Sequence, residues 1–196
     1  NTSTLPITGL AEASAHPERF VGLHFFSPVH KMKLVEIIRG KRTGEETIAR
    51  AYDYVLALGK TPIVVNDSRG FFTSRVFGTY VMEGATMLAE GIAAPLIEHA
   101  ALAAGFPVGP LAVLDETSLA LSVHVLEQTR ADVAAAGRTH VASAGELLVE
   151  RMVKELGRPG RAGGGGFYDY PAGAPKRLWP GLATHFAREG ASADLD

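Results

Sequence analysis

The chain has 196 residues, 46% of them hydrophobic, and a formal charge of −2 at pH 7, which allows one large or two small domains with a substantial core. That charge gives no electrostatic reason to expect nucleic acid or an anionic membrane surface as a partner. The absence of cysteine excludes disulfides and thiolate metal sites and fits a cytoplasmic setting, and no apolar run reaches the roughly 18–20 residues of a membrane span.

The first third reads as short strands alternating with helix. Arg19–Phe26 is an aromatic-rich apolar run closed by Ser27-Pro28, a strand followed by a turn. Leu34–Ile38 is a second, β-branched run closed by Gly40. Thr43 and Glu46 have capping-box spacing, opening a helix that should turn Ile48, Ala51, Tyr52, Val55 and Leu58 inward and stop at Gly59. Thr61–Val65 follows as a third strand. Strands separated by a helix imply an α/β sheet.

Beyond Gly70 the pattern changes. From Phe71 to about Leu156 only helical segments are predicted: one from about Phe71 to Glu90, stopped by Gly91; one with Pro95 in its first turn, ended by Gly105; and one over Ser118–Ala135, with Leu121, Val125 and Leu126 at core spacing. Ser143 and Glu146 form a second capping box, opening a helix that ends at Gly157. The glycines at 163–166 must be irregular loop, and Phe167-Tyr168-Asp169-Tyr170 is expected to pack back on the helices. The Ala/Gly/Pro-rich residues 171–196 read as a linker or tail.

Of the histidines, His16, His140 and His185 lie in polar or loop-like surroundings and are expected at the surface, while His99 and His124 are expected to fill structural roles on helices. No set has metal-ligand spacing. His24 differs because it sits near a strand end, where sites of α/β sheets collect. Glu36 lies in the middle of an apolar strand, where a carboxylate is costly to bury unless paired. If the two strands are neighbours, a His–Glu pair satisfies both groups, fixes the imidazole tautomer and stabilises an imidazolium, as a general base requires. The residues alone leave the other arrangement equally open, with Glu36 facing solvent on an edge strand and His24 packed between Phe25 and Phe26.

Several motifs then recur in order: Asn1–Leu5, Gly22–Pro28, Lys33–Ile38, Gly59–Pro62, Asp67–Phe71, Gly109–Asp115 and Gly164–Tyr168. Together, over residues 1 to 170, they closely resemble 3-hydroxyacyl-CoA dehydrogenases. The wording Phe26–Met32 and Lys176–Gly181 is most similar to the dehydrogenase part of the multifunctional α-subunit of the fatty acid oxidation complex. The resemblance implies an α/β segment at 1–69, the C-terminal part of a Rossmann NAD-binding domain whose first half is absent. It implies a mainly α-helical C-terminal domain at 70–170 and a linker or tail at 171–196.

The implied activity is NAD-dependent oxidation of L-3-hydroxyacyl-CoA to 3-oxoacyl-CoA in β-oxidation, with His24 as general base and Glu36 as its orienting carboxylate. Ser3 and Ser74 match substrate-side positions, and Asn1, Ser3 and Ser27 match cofactor-side positions, with NAD as the cofactor and no metal. Ser74 and Arg69 depart from the family: Asn is common where Ser74 stands, and Pro or Ala where Arg69 stands. Serine offers one donor where Asn offers two, so substrate contact there is expected to be weaker, relocated or water-bridged. The family further implies an acyl-CoA substrate, a homodimer through the helical domain and, if the multifunctional resemblance holds, a thiolase β-subunit as partner. The chain opens without Met inside a polar motif, and no Gly-x-Gly-x-x-Gly turn precedes Asn1, so it reads as a piece of a longer protein. As such a piece it is expected to be inactive, the alternative reading being a non-catalytic helical oligomerisation and acyl-CoA-binding module.

Overall fold

The computed structural model describes residues 5–187, which fall into two compact units divided between Gly78 and Thr79. The division lies eight residues beyond the expected change of character at Gly70.

The first unit is built on a three-stranded sheet: β1 (Gly22–Phe25), β2 (Leu34–Arg39) and β3 (Thr61–Asn66), in that order across the sheet. β2 pairs antiparallel with β1 and parallel with β3. A short helix, α1 (Ile7–Ala11), precedes the sheet, and α2 (Glu45–Ala57) makes the crossover from β2 to β3, as parallel pairing requires. β2 is central, so its interior residues Val35, Glu36, Ile37 and Ile38 are all fully buried. Val35 and Ile37 pack on Ile48, Ala51 and Val55 of α2, while Ile38 joins Ile7 and Phe71 in a separate cluster.

Two details of α2 depart from expectation. Its N-cap is Gly44, and no side chain caps it. The Thr43 hydroxyl instead donates to the carbonyl of Phe20 and accepts the Gly40 amide, so a contact to the strand entrance outcompetes the capping box that the spacing predicts. Ile48, Ala51 and Val55 face inward as expected, but Tyr52 and Leu58 are exposed. The helix does stop at Gly59, whose φ of +70° is the left-handed conformation that glycine adopts without strain.

The second unit is helical. It contains most of α3 (Thr73–Ala89), then α4 (Ala94–Ala103), α5 (Pro110–Thr117), α6 (Leu119–Ala135) and α7 (Ala144–Lys154). Ser118 caps α6 through the Leu121 amide, and Ser143 and Glu146 form the expected reciprocal capping box at the start of α7. α5 is a helix that the sequence reading passed over, although Pro110 stands at its first turn. On α6 the buried residues are Leu119, Val123 and Leu126, whereas Leu121 and Val125 are exposed.

Residues 171–187 do not form the expected linker. They contribute β5 (Arg177–Leu178), paired with β4 (Tyr168–Asp169), and α8 (Gly181–Phe186). Leu182 and Phe186 of α8 are buried in the same core as Phe167 and Tyr168.

Two buried carboxylates organise this core. Asp115 accepts the amides of Phe167 and Tyr168 and the hydroxyl of Tyr170, and burial pushes its pKa up against those bonds. Glu98 accepts the Leu111 amide at 2.8 Å and the Tyr168 hydroxyl at 2.6 Å. The glycine run is therefore a close-approach device: a Cβ on Gly166 would lie 1.9 Å from an Asp115 oxygen, so only glycine fits there.

Candidate active site

β1 and β2 are in register so that His24 lies directly opposite Glu36, and opposed residues of an antiparallel pair project to the same face. Their side chains meet: His24 Nδ1 is 2.6 Å from Glu36 Oε2. Both groups are buried, with Glu36 fully enclosed and His24 4% exposed. The arrangement with a solvent-facing Glu36 on an edge strand is excluded, because β2 is the central strand and the carboxylate is inside.

What makes a buried carboxylate tolerable is the start of α3. Glu36 Oε1 accepts the amides of Phe72 and Thr73, both at 2.9 Å, and Oε2 accepts the Thr73 hydroxyl at 2.7 Å. Helix-start amides lack intrahelical partners and carry the positive end of the helix dipole, so an anion is well placed there. Burial alone would push the Glu36 pKa up. The bonds from the Thr73 amide, His24, the Thr73 hydroxyl and the Phe72 amide outweigh it and hold the carboxyl below its ordinary value. The chain reaches this position through Gly70 (φ +74°) and Phe71 (φ +49°). Phe71 is unusual among non-glycine residues in adopting this left-handed conformation, and its buried ring sits edge-on to the His24 ring at 5.7 Å.

An ionised Glu36 fixes the tautomer of the neutral imidazole. Nδ1 carries the hydrogen directed at Oε2, which makes Nε2 the basic atom. The Phe26 ring is tilted 47° against the imidazole, with centroids 4.5 Å apart. The next residues, Ser27 and Pro28, begin an exposed turn whose carbonyls at Val29 and Met32 accept the ammonium of Lys60 at 2.6 and 2.7 Å. Lys60, at the entrance to β3, thus pins the segment that leaves β1.

Asp67, in the loop after β3, accepts the Ile7 and Thr8 amides at 3.1 and 2.7 Å and so caps α1. Burial raises its pKa, but the Thr8 hydroxyl, the two amides and the charge of Lys41 together leave it lowered.

Ser74 is half-buried in the first turn of α3, next to Thr73. Ser27 is exposed at the end of β1. Asn1 and Ser3 lie outside the described residues. Thr73, the Phe72 amide and Lys60 were not singled out by sequence reasoning, since their partners lie 28 to 37 residues away in the chain.

His30 lies in the exposed turn after β1, and the other five histidines stand elsewhere. His16 and His185 are exposed, as expected. His140 is half-buried and approaches Glu146 at 3.1 Å, so it belongs to the α7 capping box rather than to open surface. His99 and His124 are exposed on their helices rather than filling structural roles. Among the described residues no group of three or more His, Asp or Glu is arranged to hold a metal ion, and no helix is long and apolar enough to cross a membrane.

Comparison with known proteins shows the family. Residues 1–68 match the NAD-binding domain of 3-hydroxyacyl-CoA dehydrogenase and residues 70–170 match its C-terminal domain. The chain therefore belongs to the 3-hydroxyacyl-CoA dehydrogenase family. Among its relatives is the fatty acid oxidation complex subunit alpha of Shewanella baltica, 39% identical over 176 residues. That match takes in 90% of this chain and 24% of the relative, so the chain spans about a quarter of the length of the curated proteins it matches. Among solved structures, (S)-3-hydroxybutyryl-CoA dehydrogenase from Ralstonia eutropha superposes with a TM-score of 0.74 at 35% identity, covering 87% of this chain and 59% of that one. The 3-hydroxybutyryl-CoA dehydrogenase of Escherichia coli K12 gives a TM-score of 0.74 at 35% identity, covering 89% of this chain and 36% of that one.

Proposed function

We propose that the protein containing this chain oxidises L-3-hydroxyacyl-CoA to 3-oxoacyl-CoA, with His24 as the general base and Glu36 as the group that orients it. The observation that carries this reading is the buried 2.6 Å contact between His24 and a carboxylate that α3 holds from behind. In that setting His24 Nε2 accepts the proton of the substrate 3-hydroxyl. Glu36 stays ionised and stabilises the imidazolium that results, without itself taking the proton.

NAD+, when bound, accepts the hydride that leaves C3. The residues here fit the nicotinamide end of such a cofactor, because an aromatic face at Phe26, a buried imidazole and the Ser27 hydroxyl follow one another on one strand and its exit. They do not include a pyrophosphate cradle among the described residues. The glycines at 163–166 follow α7 and lead into β4 rather than opening a helix, which is the wrong context for one. The same proposal assigns Ser3 and Ser74 to substrate binding, and Asn1, Ser3 and Ser27 to cofactor binding.

A boundary near residue 70 separates the cofactor-side segment from the helical substrate domain. Exposed apolar residues on the helical unit, including Leu102, Phe106 and Leu147, support a homodimer through that unit. A thiolase β-subunit partner is supported by the similarity to fatty acid oxidation complex α-subunits, and a cytoplasmic setting by the absence of cysteine. The test is NADH formation from L-3-hydroxybutyryl-CoA and NAD+ by the intact protein, with the D-enantiomer as control. Stereoselective turnover is expected; no turnover of either enantiomer, or of longer L-3-hydroxyacyl-CoA chains, would overturn the reading.

A further inference from the structure

We propose that Thr73 is a positioning residue for the His24–Glu36 pair: its hydroxyl fixes which carboxylate oxygen faces the imidazole and limits how tightly that oxygen holds the imidazole proton. The proposal rests on the dehydrogenase reading above.

The two oxygens of Glu36 are used differently. Oε1 is taken by two backbone amides, Phe72 and Thr73, while Oε2 is shared between His24 Nδ1 and the Thr73 hydroxyl. A helical threonine commonly satisfies its hydroxyl on a carbonyl three or four residues earlier. Thr117 and Thr129 do so, donating to Val113 and Val125. Thr73 is the first residue of α3, with no helical turn before it to offer such a carbonyl, and its hydroxyl reaches across to Glu36 on β2, 37 residues away in the chain.

Three bonds from α3 leave the carboxylate no freedom to rotate, so Oε2 is presented to His24 in one orientation. The shared oxygen also has a chemical consequence. As proton transfer to His24 proceeds, the Nδ1–H···Oε2 bond, already charge-assisted by the carboxylate, gains a cationic donor and strengthens further. A second donor on Oε2 draws electron density from it and moderates its hold on the imidazolium, which must later release its proton. Around Glu36, β1 contributes His24, β3 presents Ile63 at the paired position and α3 contributes Phe72 and Thr73. His24 is the titratable side chain in that set.

The experiment uses Thr73→Val in the intact protein, which removes the hydroxyl at nearly constant volume and keeps the amide bond to Oε1. Should Val crowd the site, Thr73→Ala gives the same readouts. The kcat is expected to fall about tenfold, equivalent to about 1.4 kcal/mol. The acid limb of the kcat–pH profile should move to higher pH, KM for the acyl-CoA should hold, and Thr73→Ser should restore both kcat and the limb. A fall in kcat with an unmoved acid limb, or no change in either, would overturn the proposal. His24→Gln is measured beside it. If that variant keeps full activity, the dehydrogenase site itself is refuted; if it is inactive while Thr73→Val behaves as wild type, the role of Thr73 alone is refuted.

Discussion

Replacing Glu36 by Gln keeps the size of the side chain and changes one oxygen to NH2, which makes its consequences calculable bond by bond. The amide oxygen can still accept the Phe72 and Thr73 amides that now reach Oε1 at 2.9 Å. The NH2 then takes the place of Oε2, where it meets two groups that donate in the native protein, His24 Nδ1 and the Thr73 hydroxyl. The hydroxyl can rotate and accept, but the ring cannot avoid a donor facing a donor except by moving its hydrogen to Nε2. That is the wrong tautomer for a base acting through Nε2, and comparable changes behind a catalytic histidine cost on the order of 10⁴ in kcat. Losing two charge-assisted bonds while keeping neutral ones should also lower stability by about 1–3 kcal/mol. Initial rates of NADH formation at saturating substrate, with urea unfolding of the same preparation, give both quantities. A Glu36→Gln protein with native kcat would refute the orienting role, and one with native stability would refute the account of how the carboxylate is held.

Other consequences follow from the same contacts. Glu36 and Asp67 titrate below the ordinary 4.5 and 3.8 in the folded protein, so the stability they contribute is present at neutral pH and is lost as pH falls through those depressed values. Urea midpoints measured on descending pH should therefore drop more steeply in wild type than in Glu36→Gln. Asp67→Ala removes the cap of α1 and should cost about 1 kcal/mol in the same unfolding assay, with no cost if the two amide bonds are incidental. Gly166→Ala places a Cβ against Asp115 and should destabilise by about 1–3 kcal/mol. Gly78→Ala, in mid-helix with nothing within 4 Å of the added Cβ, should stabilise by about 0.5–1 kcal/mol. Lys60→Met frees the carbonyls of Val29 and Met32 and should speed hydrogen exchange of the Lys31 and Met32 amides relative to the rest of the first unit.

Local signals were legible where the chain satisfies them locally. The three strands, the stop at Gly59 and the Ser143–Glu146 box all depend on residues within a few positions of each other, and the structure contains each of them. Thr43 shows the limit: its spacing to Glu46 is right for a cap, but Phe20 offers its hydroxyl a partner 23 residues away, and the tertiary contact wins. Tyr52 and Leu58 on α2, and Leu121 and Val125 on α6, are apolar yet exposed, so hydrophobic identity alone did not mark the inner face. The linker expected after Pro171 was read from composition, whereas Leu182 and Phe186 are recruited by a core that only the fold assembles.

The same division holds at the site. A lone carboxylate in the apolar run Leu34–Ile38 marked Glu36 as costly to bury, and the pairing with His24 follows once β1 and β2 are adjacent. The bonds from α3 that hold Glu36 were not legible, because nothing local to Thr73 names a partner 37 residues earlier. Glu98 and Asp115 escaped notice for the same reason, their partners Tyr168 and Phe167 being 70 and 52 residues distant.

The central claim is that His24 is the base, and His24→Gln in the intact protein tests it most directly, with kcat followed by NADH absorbance and acyl-CoA affinity followed by calorimetry. The account predicts a fall in kcat of about 10²–10⁴-fold, the usual contribution of a positioned general base, with acyl-CoA affinity nearly unchanged. Unchanged kcat, or a loss explained entirely by weaker acyl-CoA binding, would contradict it.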